Sequence, residues 1–215
     1  MNSYQNSISE IWSKYKKRID GINKNRATGE DNDYLIEDGI DSRKAEEYFS
    51  TDHKKVLFIL KESNEESVDK SNRHNKSIFA DGGWFESYGT RRDDKKALTK
   101  MIKMYHYIQN SSVSTQVQPV IAADIYKFAF ININKHGNGQ YSSNNEKIKT
   151  ALDNDKDLLK YQIEILQPDV IVFGVKALEK DFRELIYNEL ATPKPQLIVT
   201  CHFSVLKYED FEEQV

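Results

Sequence analysis

Lys55-Val56-Leu57-Phe58-Ile59-Leu60-Lys61 decides the fold. Five apolar side chains in a row lie between lysines, with β-branched Val56 and Ile59 among them. A short, continuous, charge-bounded run of this kind suits a strand buried on both faces. Three more stretches have the same character: Lys127–Ile133, Asp169–Phe173 and Gln196–Cys201. Helical periods separate them. Leu98, Ile102, Tyr105 and Ile108 mark one face of a helix over Asp93–Tyr107. Ile148, Leu152, Leu159, Ile163 and Leu166 do the same over Asn145–Gln167, where a break is expected near Asp153–Asp155 and Pro168 ends the helix. A further helix is expected from Gly174 to about Leu190.

Upstream of the first strand, Ile8, Ile11, Trp12, Tyr15 and Ile19 recur at helical spacing, so a helix is expected from about Ser7 to Asn23. Lys14, Lys16, Lys17 and Arg18 lie among them as mostly solvated positions. Arg26–Asp38 reads as loop, and Ser42–Phe49 as a short helix with Ser42 as its N-cap. The alternation of strands and helices predicts a three-layer α/β/α fold with a four-stranded, mainly parallel sheet. Residues 1–52 are expected to form a helical arm packed on an α/β domain of residues 53–215.

Composition narrows the class. With 215 residues the chain is long enough for one domain and a sizeable core. Charged residues make up 30% of it, yet the 11% aromatic content is too high for a disordered chain. No apolar run approaches the roughly 18 residues of a membrane span, and Met1–Asp20 carries no signal-peptide core. Cys201 is the single cysteine, which excludes an intrachain disulfide and a cysteine-type zinc site. The expectation is a cytoplasmic monomer with no membrane partner, no metal and no cofactor. The net charge is −3, so a nucleic-acid partner requires a local basic face.

In a parallel sheet between helices, chemistry gathers at the carboxyl ends of the strands. The first strand ends in Lys61-Glu62-Ser63-Asn64, the second in Asn132-Ile133-Asn134-Lys135-His136-Gly137, the third in Phe173-Gly174 and the fourth in Cys201-His202-Phe203-Ser204. Taken singly, a Glu here is ordinarily solvated, an Asn forms a turn and a His packs or faces water. Together, the strand order delivers them to one rim.

These segments resemble the uracil-DNA glycosylase superfamily. Val56-Leu57-Phe58-Ile59-Leu60-Lys61-Glu62 is similar to its first motif, a strand running into a Gly-Glu-Ala-Pro-Gly or Gly-Gln-Asp-Pro-Tyr loop. Phe130-Ile131-Asn132-Ile133-Asn134-Lys135 looks like the second, an apolar strand ending in Asn. Gln167-Pro168-Asp169-Val170-Ile171-Val172-Phe173-Gly174 resembles the Pro-Asp-Val-Ile-x-x-x-Gly strand, and His202-Phe203-Ser204 the closing His-Pro-Ser. Order and spacing agree from about Lys54 to Leu206, and Asp38-Gly39-Ile40 is similar to a segment of uncharacterised branches. The chain departs from the pattern in places. Its first loop lacks Gly and Pro, Ser63 stands where the best-known branches carry Asp or Asn, and Phe203 replaces the middle Pro. No cysteine quartet exists for the iron–sulfur cluster of some branches.

The resemblance implies a glycosylase-like domain and a monofunctional DNA glycosylase that excises a damaged or modified pyrimidine, uracil or a bulkier modified cytosine, and leaves an abasic site. Such an enzyme takes its base out of the stack. It then breaks the bond to the sugar through an oxocarbenium-like state. Glu62 would stabilise that cation and orient or deprotonate water, while His202 would donate a hydrogen bond to the departing base. Asn132, with Ser63 and Asn64, would read the base edge. Trp84 or Phe85, in a segment that also holds Phe79 and Tyr88, would stack on the flipped ring. DNA contacts fall to Arg91, Arg92, Lys135 and Ser204, with Leu206 as a wedge. Glu86–Lys103 carries six basic side chains against three acidic ones, whereas the Glu209–Glu213 tail is acidic. The partner expected is DNA, duplex or single-stranded with a flipped base. The polar loop up to Ser77 suits a hydroxylated pyrimidine, such as a modified cytosine of phage DNA, better than it suits excluding a methyl group, and an antiphage role would follow. The competing reading is a non-catalytic nucleic-acid or nucleotide-binding module that keeps the fold.

Overall fold

The four apolar runs meet in one sheet in the computed structural model of the protein, which describes residues 3–25, 34–35, 37–41, 44–62, 92–110, 122–137 and 144–201. In chain order the strands are β1 (Tyr34–Leu35), β2 (Val56–Glu62), β3 (Phe128–Asn134), β4 (His136–Gly137), β5 (Val170–Phe173) and β6 (Gln196–Val199). The α-helices are α1 (Ser3–Lys24), α2 (Ala45–Phe49), α3 (Arg92–Asn110), α4 (Asn145–Leu166) and α5 (Glu179–Leu185).

The main sheet has the order β3-β2-β5-β6, and every pairing in it is parallel. Register is set by the apolar runs: Val56 lies between Phe128 and Val170, and Val170 pairs with Gln196. Alternation along the strands then divides the interior in two. Val56, Phe58, Phe128, Phe130, Val170, Val172 and Ile198 form a core with Met101, Ile102, Met104, Tyr105 and Ile108 of α3. Leu57, Ile59, Ala129, Ile131, Ile133, Ile171 and Phe173 form another with α1, α2, α4 and α5. Helices thus cover both faces, as continuous apolar strands require. The expected arm, residues 1–52, contributes Tyr4, Ile8, Ile11, Tyr15, Ile19 and Tyr48 to that second core.

Helix ends follow local chemistry. Asn144 caps α4, its side-chain oxygen accepting from the Lys147 N–H at 2.9 Å. Gln167 closes it in the left-handed conformation at φ 46°, ahead of Pro168. The break expected near Asp153–Asp155 does not occur, because Asp155 turns inward and pairs with Arg18 of α1 at 2.6 Å. The single helix expected from Gly174 to Leu190 is instead α5 flanked by two short 3-10 turns, Lys176–Leu178 and Tyr187–Glu189. The backbone leaves helical values at Ile186 and buries that side chain. Ser42, the expected cap of the short second helix, lies outside the described residues.

The stretch expected to be loop carries β1, which pairs antiparallel with β4. Just beyond β1, Gly39 bridges to Phe130, whose N–H donates to the Gly39 carbonyl at 3.0 Å. The N-terminal chain therefore covers part of the free edge of β3. Gly39 is required twice here. Its φ of 128° disfavours other residues, and a Cβ would sit 3.3 Å from the Tyr4 hydroxyl.

Candidate functional site

β2 and β3 end side by side, with Leu60 opposite Asn132 and Glu62 opposite Asn134. Pleating fixes the face of each position. Val56, Phe58 and Leu60 pack on the α3 side, and position 62 continues that alternation. Phe128 and Phe130 also pack on the α3 side, and Asn132 continues theirs. The carboxylate-bearing and amide-bearing positions therefore share one sheet face on adjacent strands, one pleat apart along the strand direction. Asn132 is 97% buried, a polar residue held at the very end of an apolar strand.

The fourth strand reaches the same rim. Beyond β6, the Thr200 N–H donates to the Phe173 carbonyl at 2.9 Å, so the chain stays in register to the carboxyl end of β5. Thr200 continues the alternation of Ile198 toward the α3 side and is fully buried, and its hydroxyl has no hydrogen-bond partner among the described residues. Sequence reasoning passed over Thr200. Its signal was its place at the end of an apolar run, directly before Cys201-His202. Cys201 is exposed.

Asn132 is fixed from behind by a charged cluster. Asp38 accepts from the Asn132 backbone N–H at 2.7 Å, from the Lys135 ammonium at 2.6 and 2.7 Å, and from the Gln162 side-chain amide at 3.0 Å. Lys135 and Asp38 have fully buried side chains. The ammonium also lies 5.8 Å from the Trp12 ring centroid and 5.9 Å from that of Tyr15. Burial pulls the Lys135 ammonium below its ordinary value, while the Asp38 carboxylate pulls it back up. Burial likewise drives the Tyr15 hydroxyl well above its ordinary value. This placement corrects the expected role of Lys135 in DNA binding. Following Asn134 by one residue, its side chain falls on the α1–α4 side of the sheet, where no phosphate reaches it.

The other expected site residues divide as follows. Glu62 and Arg92 have described backbones, as the last residue of β2 and the first of α3. Ser63, Asn64, Phe79, Trp84, Phe85, Tyr88, Arg91, His202, Ser204 and Leu206 lie outside the described residues. Of the basic run, Lys100 and Lys103 are half-buried on α3. Among the described residues no three His, Cys, Asp or Glu side chains gather to hold a metal ion, and no helix is long and apolar enough to cross a membrane. Comparison with protein-family models, with curated proteins and with solved structures finds no match.

Proposed function

We propose that the protein is a monofunctional DNA glycosylase that flips a modified pyrimidine from DNA and hydrolyses its N-glycosidic bond. The observation that carries this reading is the shared face of positions 62 and 132 at the carboxyl ends of adjacent parallel strands. The resemblance of four ordered segments to the uracil-DNA glycosylase superfamily supports it.

In this reading the carboxylate of Glu62 stabilises positive charge on the sugar and accepts a proton from the attacking water. The C1′–N bond breaks, its electron pair leaves with the base, and the water oxygen bonds to C1′. His202 donates a hydrogen bond to the base as negative charge grows there. The Asn132 amide reads the pyrimidine edge, with Ser63 and Asn64 beside it, while Trp84 or Phe85 stacks on the ring. Arg91, Arg92 and Ser204 contact phosphates, and Leu206 fills the vacated stack. The polar chain from Asn64 to Asn75 favours a hydroxylated substituent at the 5-position, so the preferred base is a bulky modified cytosine rather than uracil.

The test is base release from matched duplexes containing uracil, 5-hydroxymethylcytosine or its glucosylated form, read as alkali-induced strand cleavage. Excision of a modified cytosine, lost at least about 100-fold in Glu62→Gln and in Asn132→Ala with folding intact, is the expected result. Efficient action on uracil alone rejects the substrate. DNA binding without release from any duplex assigns the non-catalytic reading instead.

A further inference from the structure

At the opposite edge of the sheet, where the strands begin, the last turns of α4 open on a cavity of about 540 Å³. That volume lies within the range of sites for small molecules, about 300–1,000 Å³. The rings of Tyr4, Phe49 and Tyr161 line it, together with Glu164, Ile165 and Gln167. We infer that this cavity binds a small organic cation, an alkylammonium or quaternary ammonium group.

Three independent features favour positive charge here. First, Glu164 contributes a carboxylate that no ion pair engages among the described residues. Second, the cavity lies at the carboxyl-terminal end of α4, a helix of 22 residues with no basic side chain in its last turn. The negative end of the helix dipole is therefore left without the cation usually found there. Third, three aromatic residues line the cavity, and the face of an aromatic ring carries the negative potential that attracts a cation. Tyr161 already takes a cation on one side, because the Lys14 ammonium lies 5.4 Å from its centroid and is not part of the cavity wall.

The walls are held in place before any ligand arrives. Tyr4 stacks edge-on against Phe49 with centroids 5.5 Å apart, and Phe49 does the same with Tyr48 at 5.0 Å. Tyr48 in turn donates its hydroxyl to the Leu166 carbonyl at 3.1 Å, tying α2 to the end of α4. The Tyr4 hydroxyl points inward toward Gly39, which leaves its ring to line the opening. Gln167 stands where a left-handed helix cap ordinarily calls for glycine. Gln167 is one of the residues that line the cavity.

The test is a titration of the full chain with choline and with 3,3-dimethylbutanol, which has the same shape without the charge, followed by amide nuclear magnetic resonance. Saturable shifts confined to residues 161–167 and their neighbours in α1 and α2 are expected with choline, and binding of the alcohol at least tenfold weaker. Glu164→Gln should weaken choline tenfold or more and leave the alcohol unchanged. Equal binding of the two compounds to the unsubstituted chain overturns the inference, as does the absence of saturable choline binding.

Discussion

The two faces of the sheet are packed by different means. On the α3 side the core cluster itself is apolar and adaptable: Met101 and Met104 share it with Phe58, Phe128 and Tyr105, and Phe58 and Phe128 meet edge to face at 5.1 Å. The buried Asp124 carboxylate is met by the partly exposed side chains of His106 at 3.1 Å and Lys127 at 3.2 Å. On the α1–α4 side the core encloses the Asp38–Lys135 pair and the Asp155 carboxylate, which the part-exposed Arg18 reaches from the rim. Methionine fits many shapes and specifies few. A buried ion pair tolerates one arrangement, because a displaced partner leaves a charge stranded in a medium that cannot solvate it. The α3 side thus supplies volume, and the α1–α4 side supplies position. The face expected to receive a substrate is the adaptable one, while the strand end that carries Asn132 is fixed by the rigid one.

That contrast is tested most severely at the Asp38–Lys135 pair. Lys135→Met should lower the unfolding free energy by about 3–5 kcal/mol, measured by urea denaturation, since it leaves the Asp38 carboxylate buried without its cation. Asp38→Asn keeps an acceptor for the Asn132 backbone N–H. Combined with Lys135→Met it should show a favourable coupling on the order of 1–3 kcal/mol. Strict additivity would mean that the pair does not act as a unit. Arg18→Met exposes a lesser dependence on the same face. The expected loss is about 1 kcal/mol, at the low end for an abandoned buried acceptor, because the Arg18 side chain is itself 38% exposed. Across the sheet, Met104→Leu should cost less than about 1.5 kcal/mol and preserve a cooperative thermal transition. A larger loss there would show that the α3 side is as exacting as the other. Thr200→Val should be smallest of all, between no change and a gain of about 1 kcal/mol in thermal or urea unfolding, because its buried hydroxyl has no described partner to lose.

The strands were legible because burial on both faces writes itself as an unbroken apolar run, and each of the four lies within two residues of its expected bounds. Helices with strong periods were equally plain. What escaped was non-local. Asp153-Asn154-Asp155 reads as a helix break only while Arg18 is out of view. Lys135 reads as a surface cation because its partner lies 97 positions earlier in the chain, in a stretch with no secondary-structure signal of its own. The short β1–β4 ladder is too brief for any alternation to announce it. At the candidate site, strand order and pleat made the rim and the shared face of positions 62 and 132 readable. Thr200 went unnoticed because a threonine at the end of an apolar run ordinarily signals β propensity alone.

The pairing of α1 with α4 also sets an order of events during synthesis. The apolar stripe of α1 is complete once Lys24 has been added, but the helix that covers it ends at Leu166, roughly 140 residues later. At cellular translation speeds that interval is on the order of ten seconds. For all of it the nascent helix must remain soluble with Ile8, Ile11, Tyr15 and Ile19 uncovered. The cluster Lys14, Lys16, Lys17 and Arg18 lies on the same helix, and like charge of this kind opposes association between neighbouring unfinished chains.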